Sequence, residues 1–167
     1  MTFYVENETQ ETFEFDVEAI VEQVANAVLD SENCEYEVQL NVLLTDNEGI
    51  REYNRDYRGI DRETDVLSFP NLDFEEPGVF AIDEDMEADY FDPDTGELIL
   101  GDIIISVDKV NAQAEQFGHS QKREFAFLVA HSMFHLSGYD HMEAEEAAVM
   151  EAKQEMILKT LGITRED

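Results

Sequence analysis

The stretch His131-Ser132-Met133-Phe134-His135-Leu136-Ser137-Gly138-Tyr139-Asp140-His141 holds three of the chain's four histidines and asks for a helix followed by a sharp turn. Residues four apart share one face of a helix, so His131 and His135 point the same way. A third donor from the next turn of that face would crowd the same line, and Gly138 stands between His135 and His141. Glycine takes the left-handed conformation that ends a helix, which predicts a helix stopping at Gly138 and His141 facing its partners from outside it. Three imidazoles converging in this way suit a zinc ion at about 2.0–2.1 Å and leave a fourth position for water or substrate, the arrangement of a catalytic site.

The spacing resembles that of the metzincin peptidases, which carry Glu directly after the first histidine to accept a proton. Ser132 stands at that place here. A serine hydroxyl is too weak a base near neutral pH, so a peptidase reading lacks its general base. His119, in Gly118-His119-Ser120, has no comparable spacing. It is expected at the surface or near a helix cap and is assigned no functional role.

A length of 167 residues suits one domain, 1–167, able to bury a real core, and an apolar fraction of 43% is ordinary for a globular chain. No stretch is long and apolar enough to span a bilayer, and Met1-Thr2-Phe3-Tyr4-Val5-Glu6 has neither a basic leader nor an apolar signal core, so a cytoplasmic protein without a membrane partner is expected. The single cysteine, Cys34, rules out an internal disulfide and is expected to be a buried or half-buried thiol. A net charge of −31 repels polyanions from the body as a whole. The basic residues, however, gather as Arg51, Arg55, Arg58 and Arg62, and again as Lys109, Lys122 and Arg123 just before the histidine helix. Brought together, the two groups would make a local positive pocket; apart, they would be solvated helix faces.

Outward from the histidines the elements follow from periodicity. Val17, Ile20, Val21, Val24 and Val28 recur at helical spacing to about Ser31, after a weak opening strand at Phe3 and Val5. Tyr36, Val38, Leu40, Val42 and Leu44 alternate as a half-buried strand. Thr45-Asp46-Asn47-Glu48 has capping-box spacing for a helix reaching about Tyr57 and closed by Gly59. Val66 to Phe69 reads as a strand stopped by Pro70, and the acidic segment 71–97 as a long loop or hairpin excursion. Leu98-Ile99-Leu100-Gly101-Asp102-Ile103-Ile104-Ile105 suits a buried strand with a bulge or close approach at the glycine. Helices are predicted over Val107–Phe117, from a Ser120 cap through the histidines, and over roughly Glu143–Leu161, with Met133, Met142, Met150 and Met156 as core fillers. The whole is an α+β domain, a small mixed sheet packed with helices.

Several separated motifs, in order, carry a resemblance to a known family. They are Asn54 to Gly59, Thr64-Asp65-Val66-Leu67-Ser68-Phe69-Pro70, Leu100-Gly101-Asp102-Ile103-Ile104, Gly118-His119-Ser120, and His135-Leu136-Ser137-Gly138-Tyr139-Asp140-His141. From about Leu40 to Leu161 the chain resembles the YbeY family of metal-dependent endoribonucleases, the ribosomal RNA maturation factors. That family usually has Gly and Leu where this chain has Ser132 and Phe134, neither change removing a donor, and the segment 71–97 is longer than usual, which bears on substrate access. The resemblance implies one zinc ion per chain held by His131, His135 and His141, with Arg58 near it. It further implies work on single-stranded ribosomal RNA, in small-subunit 3′ end maturation and ribosome quality control, with the small ribosomal subunit as partner and no DNA substrate.

The chemistry is compatible with this. A phosphodiester needs its nonbridging oxygens neutralised; a metal with an open position acts there as a Lewis acid, and Arg58 offers a planar fork for a phosphate. Whether water activated by the metal or the ribose 2′-hydroxyl attacks stays open. Asp140 is read as a turn former before a partner of a histidine. Two other readings compete: a zinc peptidase or amide hydrolase, and a noncatalytic ribosome assembly factor whose metal serves the fold.

Overall fold

Strict alternation in Val38-Gln39-Leu40-Asn41-Val42-Leu43-Leu44 gives β2 (Val38–Thr45), whose even-numbered residues are buried on one face. In this computed structural model, which describes residues 1–82 and 87–163, β2 is an inner strand of a four-stranded sheet. The strands run β1 (Thr2–Asn7), β2, β4 (Leu98–Ser106) and β3 (Val66–Pro70) across it. β1 and β4 lie parallel to β2, and β3 closes the far edge antiparallel to β4. The chain is therefore a single α+β domain with a mixed sheet.

Between β1 and β2 runs α1 (Val17–Ser31), capped by Asp16, whose carboxylate accepts from the amide of Ala19. Its inward face is Ile20, Val21, Val24, Ala25, Val28 and Leu29. α2 (Asn47–Arg58) is capped by Asp46, which accepts from Gly49. The expected capping by Thr45 is not what forms: its hydroxyl donates instead to Glu8 at 2.6 Å, tying β2 to the residues after β1. A short α3 (Glu87–Tyr90) lies within the segment 71–97, and an isolated antiparallel bridge joins Phe91 to Leu98. That acidic segment is more fixed than a loose excursion: Leu72 is buried, and Gly78 donates to the carbonyl of Ser137 at 2.8 Å. Residues 83–86 of it lie outside the described residues.

α4 (Val107–Phe117), α5 (Gln121–Leu136) and α6 (Ala144–Thr160) complete the chain. Ser120 caps α5 as its sequence requires, accepting from the amide of Arg123 at 3.0 Å. α5 is buried on more than a single stripe, because α1, α4, α6, β3 and β4 all pack against it. Phe125 and Phe134 are among its fully buried side chains, each worth roughly 1.5–3 kcal/mol of transfer free energy. Met133 and Met150 fill the core as expected, but Met142 and Met156 do not, being 85% and 63% exposed. Met142 falls in the turn after α5, and Met156 on the outer face of α6, where periodicity alone does not bury them.

The bulge in β4 decides how closely α5 can approach. Gln39 pairs with Ile99 and Leu40 with Gly101, so Leu100 is the surplus residue. The parity change lets Leu98 and Leu100 before it and Ile103 and Ile105 after it all join the helix-side core. Gly101 has φ +148°, and a Cβ there would collide with the Phe69 carbonyl oxygen and press to 3.0 Å on a methyl of Leu136. Gly101→Ala is expected to lower the unfolding free energy by about 1–3 kcal/mol, read as a lower urea midpoint. An unchanged midpoint would mean that the close approach is not constrained.

Candidate metal centre

His131 and His135 sit one turn apart near the end of α5, with their Nε2 atoms 3.1 Å apart. The helix stops at Leu136, with Ser137 as cap and Gly138 at φ +97°. It thus ends slightly before the glycine, whose positive φ makes the turn. Amides of Gly138 and Tyr139 donate back to the carbonyls of His135 and Phe134, and a Cβ on Gly138 would strike Phe74. The reversal carries His141 back so that one ligand atom from each of the three histidines lies within 4.8 Å of the others. Nitrogens sharing a tetrahedral ion at about 2.0–2.1 Å stand roughly 3.3 Å apart, close to the His131–His135 separation. Three neutral imidazoles suit zinc and its transition-metal neighbours; they do not suit calcium or magnesium, which take oxygen donors.

Two of the rings are held from behind. Nδ1 of His135 lies 3.0 Å from the carbonyl oxygen of Tyr139, and Nδ1 of His131 lies 2.6 Å from the amide nitrogen of Gln154 on α6. Asp140 accepts from the amide of His141 at 2.7 Å, the turn-forming role. Ser132 is fully buried and its hydroxyl accepts from that of Ser68 on β3 at 2.8 Å.

The histidines open onto a cleft of about 860 Å³ that also takes in Arg58, Asp65, Ser68, Asp73, Phe74 and Asp140. A second groove of about 470 Å³, on the other face of the sheet between Tyr4, Tyr57 and Phe69, holds no histidine. Arg58 is the last residue of α2, exposed, and in no ion pair among the described residues. The other basic residues do not join it. Arg51 pairs with Asp61, Arg55 with Asp56 and Lys109 with Glu63, while Arg123 is buried against Glu155 and the carbonyl of Ile163. The positive pocket envisaged from two clusters reduces to Arg58.

His119 lies in the capping region, between Gly118 at the end of α4 and Ser120 at the start of α5, but it is turned inward and not exposed. Its side chain is 8% exposed and Nε2 lies 2.6 Å from Glu124, which also accepts from Gln113 at 2.6 Å. No spacing rule pairs residues five apart across a helix cap, so nothing in the sequence signalled this.

Burial, then the neighbouring His135 and His141, pushes His131 down to about 4, against a weaker opposing pull from Asp65. Burial and His141 also lower His135. Protons therefore bind the unfolded chain more readily than the fold between about pH 6.5 and 4. Stability of chelated protein is expected to be full above that window and to be lost as pH falls through it, read as a falling urea midpoint. The same shift moves proton competition at His131 below the ordinary imidazole range, so a midpoint indifferent to pH between 6.5 and 4 would contradict the geometry.

With this geometry in place, comparison with known proteins is decisive. A family model described as endoribonuclease YbeY matches residues 4–162. The chain belongs to the YbeY family. YbeY relatives named endoribonucleases include one from Agathobacter rectalis, 60% identical, and one from Lachnoclostridium phytofermentans, 54% identical, each alignment covering 99% of this chain and 100% of the relative. A solution structure from Thermotoga maritima has the same fold, with a TM-score of 0.53 at 23% identity, covering 95% of this chain and 91% of that one. Among the described residues no helix is long and apolar enough to cross a membrane.

Proposed function

We propose that this YbeY-family endoribonuclease is zinc-dependent, cuts single-stranded RNA, and acts in the cytoplasm on ribosomal RNA. On this reading it matures the small-subunit 3′ end and serves ribosome quality control with the small subunit as partner. The observation that supports it most is the convergence of His131, His135 and His141 in a cleft that also contains the unpaired Arg58.

His131, His135 and His141 are the proposed ligands, and their donor set and spacing fit a zinc ion. When bound, zinc supplies Lewis acidity toward a phosphate oxygen. Arg58 places a guanidinium at the same cleft, where its parallel N–H groups grip two nonbridging oxygens and orient the scissile phosphate. Ser68 and Pro70 of β3 line the sheet side of the cleft. Because the body carries a charge of −31 and the cleft itself includes Asp65, Asp73 and Asp140, the attraction for phosphate there depends on Arg58 and a bound cation. Ser132, bonded to Ser68 beneath the surface, is not available as a base, which weighs against a peptidase of metzincin type.

The test is incubation of purified, metal-quantified protein with precursor and mature ribosomal RNA, with and without chelator, followed by end mapping. Cleavage restricted to single-stranded segments, abolished by chelation and restored by zinc while the fold survives, is the expected result. Unfolding on chelation would favour a metal that serves the fold alone, and cleavage of peptides in place of RNA would overturn the reading.

A further inference from the structure

We propose that Gln154 is the positioning residue that decides which nitrogen of His131 is free for a cation, by presenting one end or the other of its side-chain amide; this rests on the reading above that the three histidines hold a metal. Gln154 is 1% exposed and shares the inward face of α6 with Met150, Ile157 and Leu158. An amide among such neighbours is costly unless it is bonded, and its recorded partner is Nδ1 of His131 at 2.6 Å.

The three bonds fix where each ring proton sits. The carbonyl of Tyr139 only accepts, so Nδ1 of His135, 3.0 Å away, carries the proton and Nε2 of His135 is a bare lone pair. Nε2 of His131, 3.1 Å from that lone pair, donates to it. Nδ1 of His131 is then bare and accepts from the amide N–H of Gln154. All three bonds run one way, from Gln154 through His131 and His135 to Tyr139. In that arrangement His135 is ready for a cation and His131 is not, because its Nε2 holds a proton.

Binding through Nε2 of His131 moves that proton to Nδ1, which then needs an acceptor. A half-turn of the Gln154 amide puts its carbonyl oxygen where its nitrogen was, at almost no change in shape. The ring is neutral before and after, so one proton leaves Nε2, one arrives at Nδ1, and none is gained or lost. Partners of this kind orient metal-binding histidines and raise their basicity. His135 takes its support from the backbone, which no substitution at Tyr139 removes. For His131 the support is a side chain, and the sequence can tune it.

Gln154→Glu offers only acceptor oxygens and fixes the Nδ1–H form, whereas Gln154→Met offers neither donor nor acceptor at similar size. Zinc competition against a chromophoric chelator is expected to show binding about 10-fold tighter for Gln154→Glu and about 10–100-fold weaker for Gln154→Met. Two-bond proton–nitrogen spectra of the rings in chelated protein are expected to place the His131 proton on Nε2 in the wild type and on Nδ1 in Gln154→Glu. Wild-type affinity in a Gln154→Met protein with an unchanged chelated melting temperature would overturn the proposal. If Gln154→Met does not fold, wild-type affinity and tautomer in Gln154→Glu overturn it equally. A wild-type chain that binds no zinc would sink the metal reading instead, and the spectra alone would then decide the tautomer control.

Discussion

His135→Ala is expected to abolish both zinc retention and RNA cleavage while leaving the chain folded. The substitution leaves His131 and the exposed His141, too few imidazoles to close three corners of a tetrahedron. It also frees the carbonyl of Tyr139 from its ring partner, loosening the turn that presents His141. Zinc is expected to fall to traces and the cleavage rate by well over the ~10–100-fold typical of losing an outer support. His135 borders the cleft and is absent from the hydrophobic cluster that holds the helices together, so the melting temperature of chelated protein should barely move. Metal analysis, an RNA assay and a thermal scan on the same sample check all three. A His135→Ala protein with full zinc and normal cleavage would remove the basis of the proposed function.

Arg58→Ala is expected to separate what His135→Ala joins: zinc stays and cleavage drops by about 10²–10³-fold, the usual effect of deleting one donor that meets developing charge. The guanidinium lies at the exposed end of α2 with no ion pair among the described residues. The helix itself is anchored upstream by Ile50 and stopped by Gly59 at φ +69°. Truncation therefore changes stability by less than about 0.5 kcal/mol, as for other surface positions. Arg58→Lys keeps the charge and loses the fork, and is expected to recover only part of the rate. Normal cleavage by Arg58→Ala would show that the phosphate is held elsewhere.

These expectations were partly legible in the residues. Periodicity located α1 and α4 to within a residue or two, because their apolar positions answer to one buried face each, and the Ser120 cap and the glycine turn located α5. The bulge was readable from a lone glycine between two aliphatic runs in β4. The grouping of the histidines followed from helical spacing and a glycine turn, both local properties. What escaped depends on contacts distant in sequence. The capping side chain shifted by one residue because Glu8 engages Thr45. The basic residues scattered because Arg51, Arg55, Lys109 and Arg123 each found a carboxylate, and His119 turned inward to meet Glu124. For Gln154 no sequence pattern gives a link to a ring twenty-three positions earlier.

The surplus residue in β4 has one more implication. Leu98, Gly101, Ile103 and Ile105 stand opposite Val38, Leu40, Val42 and Leu44, so a deletion at Leu100 would leave a regular strand that keeps those residues inward but loses the Leu100 side chain from the core and the kink that comes with it, and no exchange of side chains could restore either. Leu136, next in sequence to His135, lies against the strand at that spot. The seat of the histidine helix is thus secured by a count of residues as much as by their kinds, and relatives that drift freely in composition there are expected to keep the count.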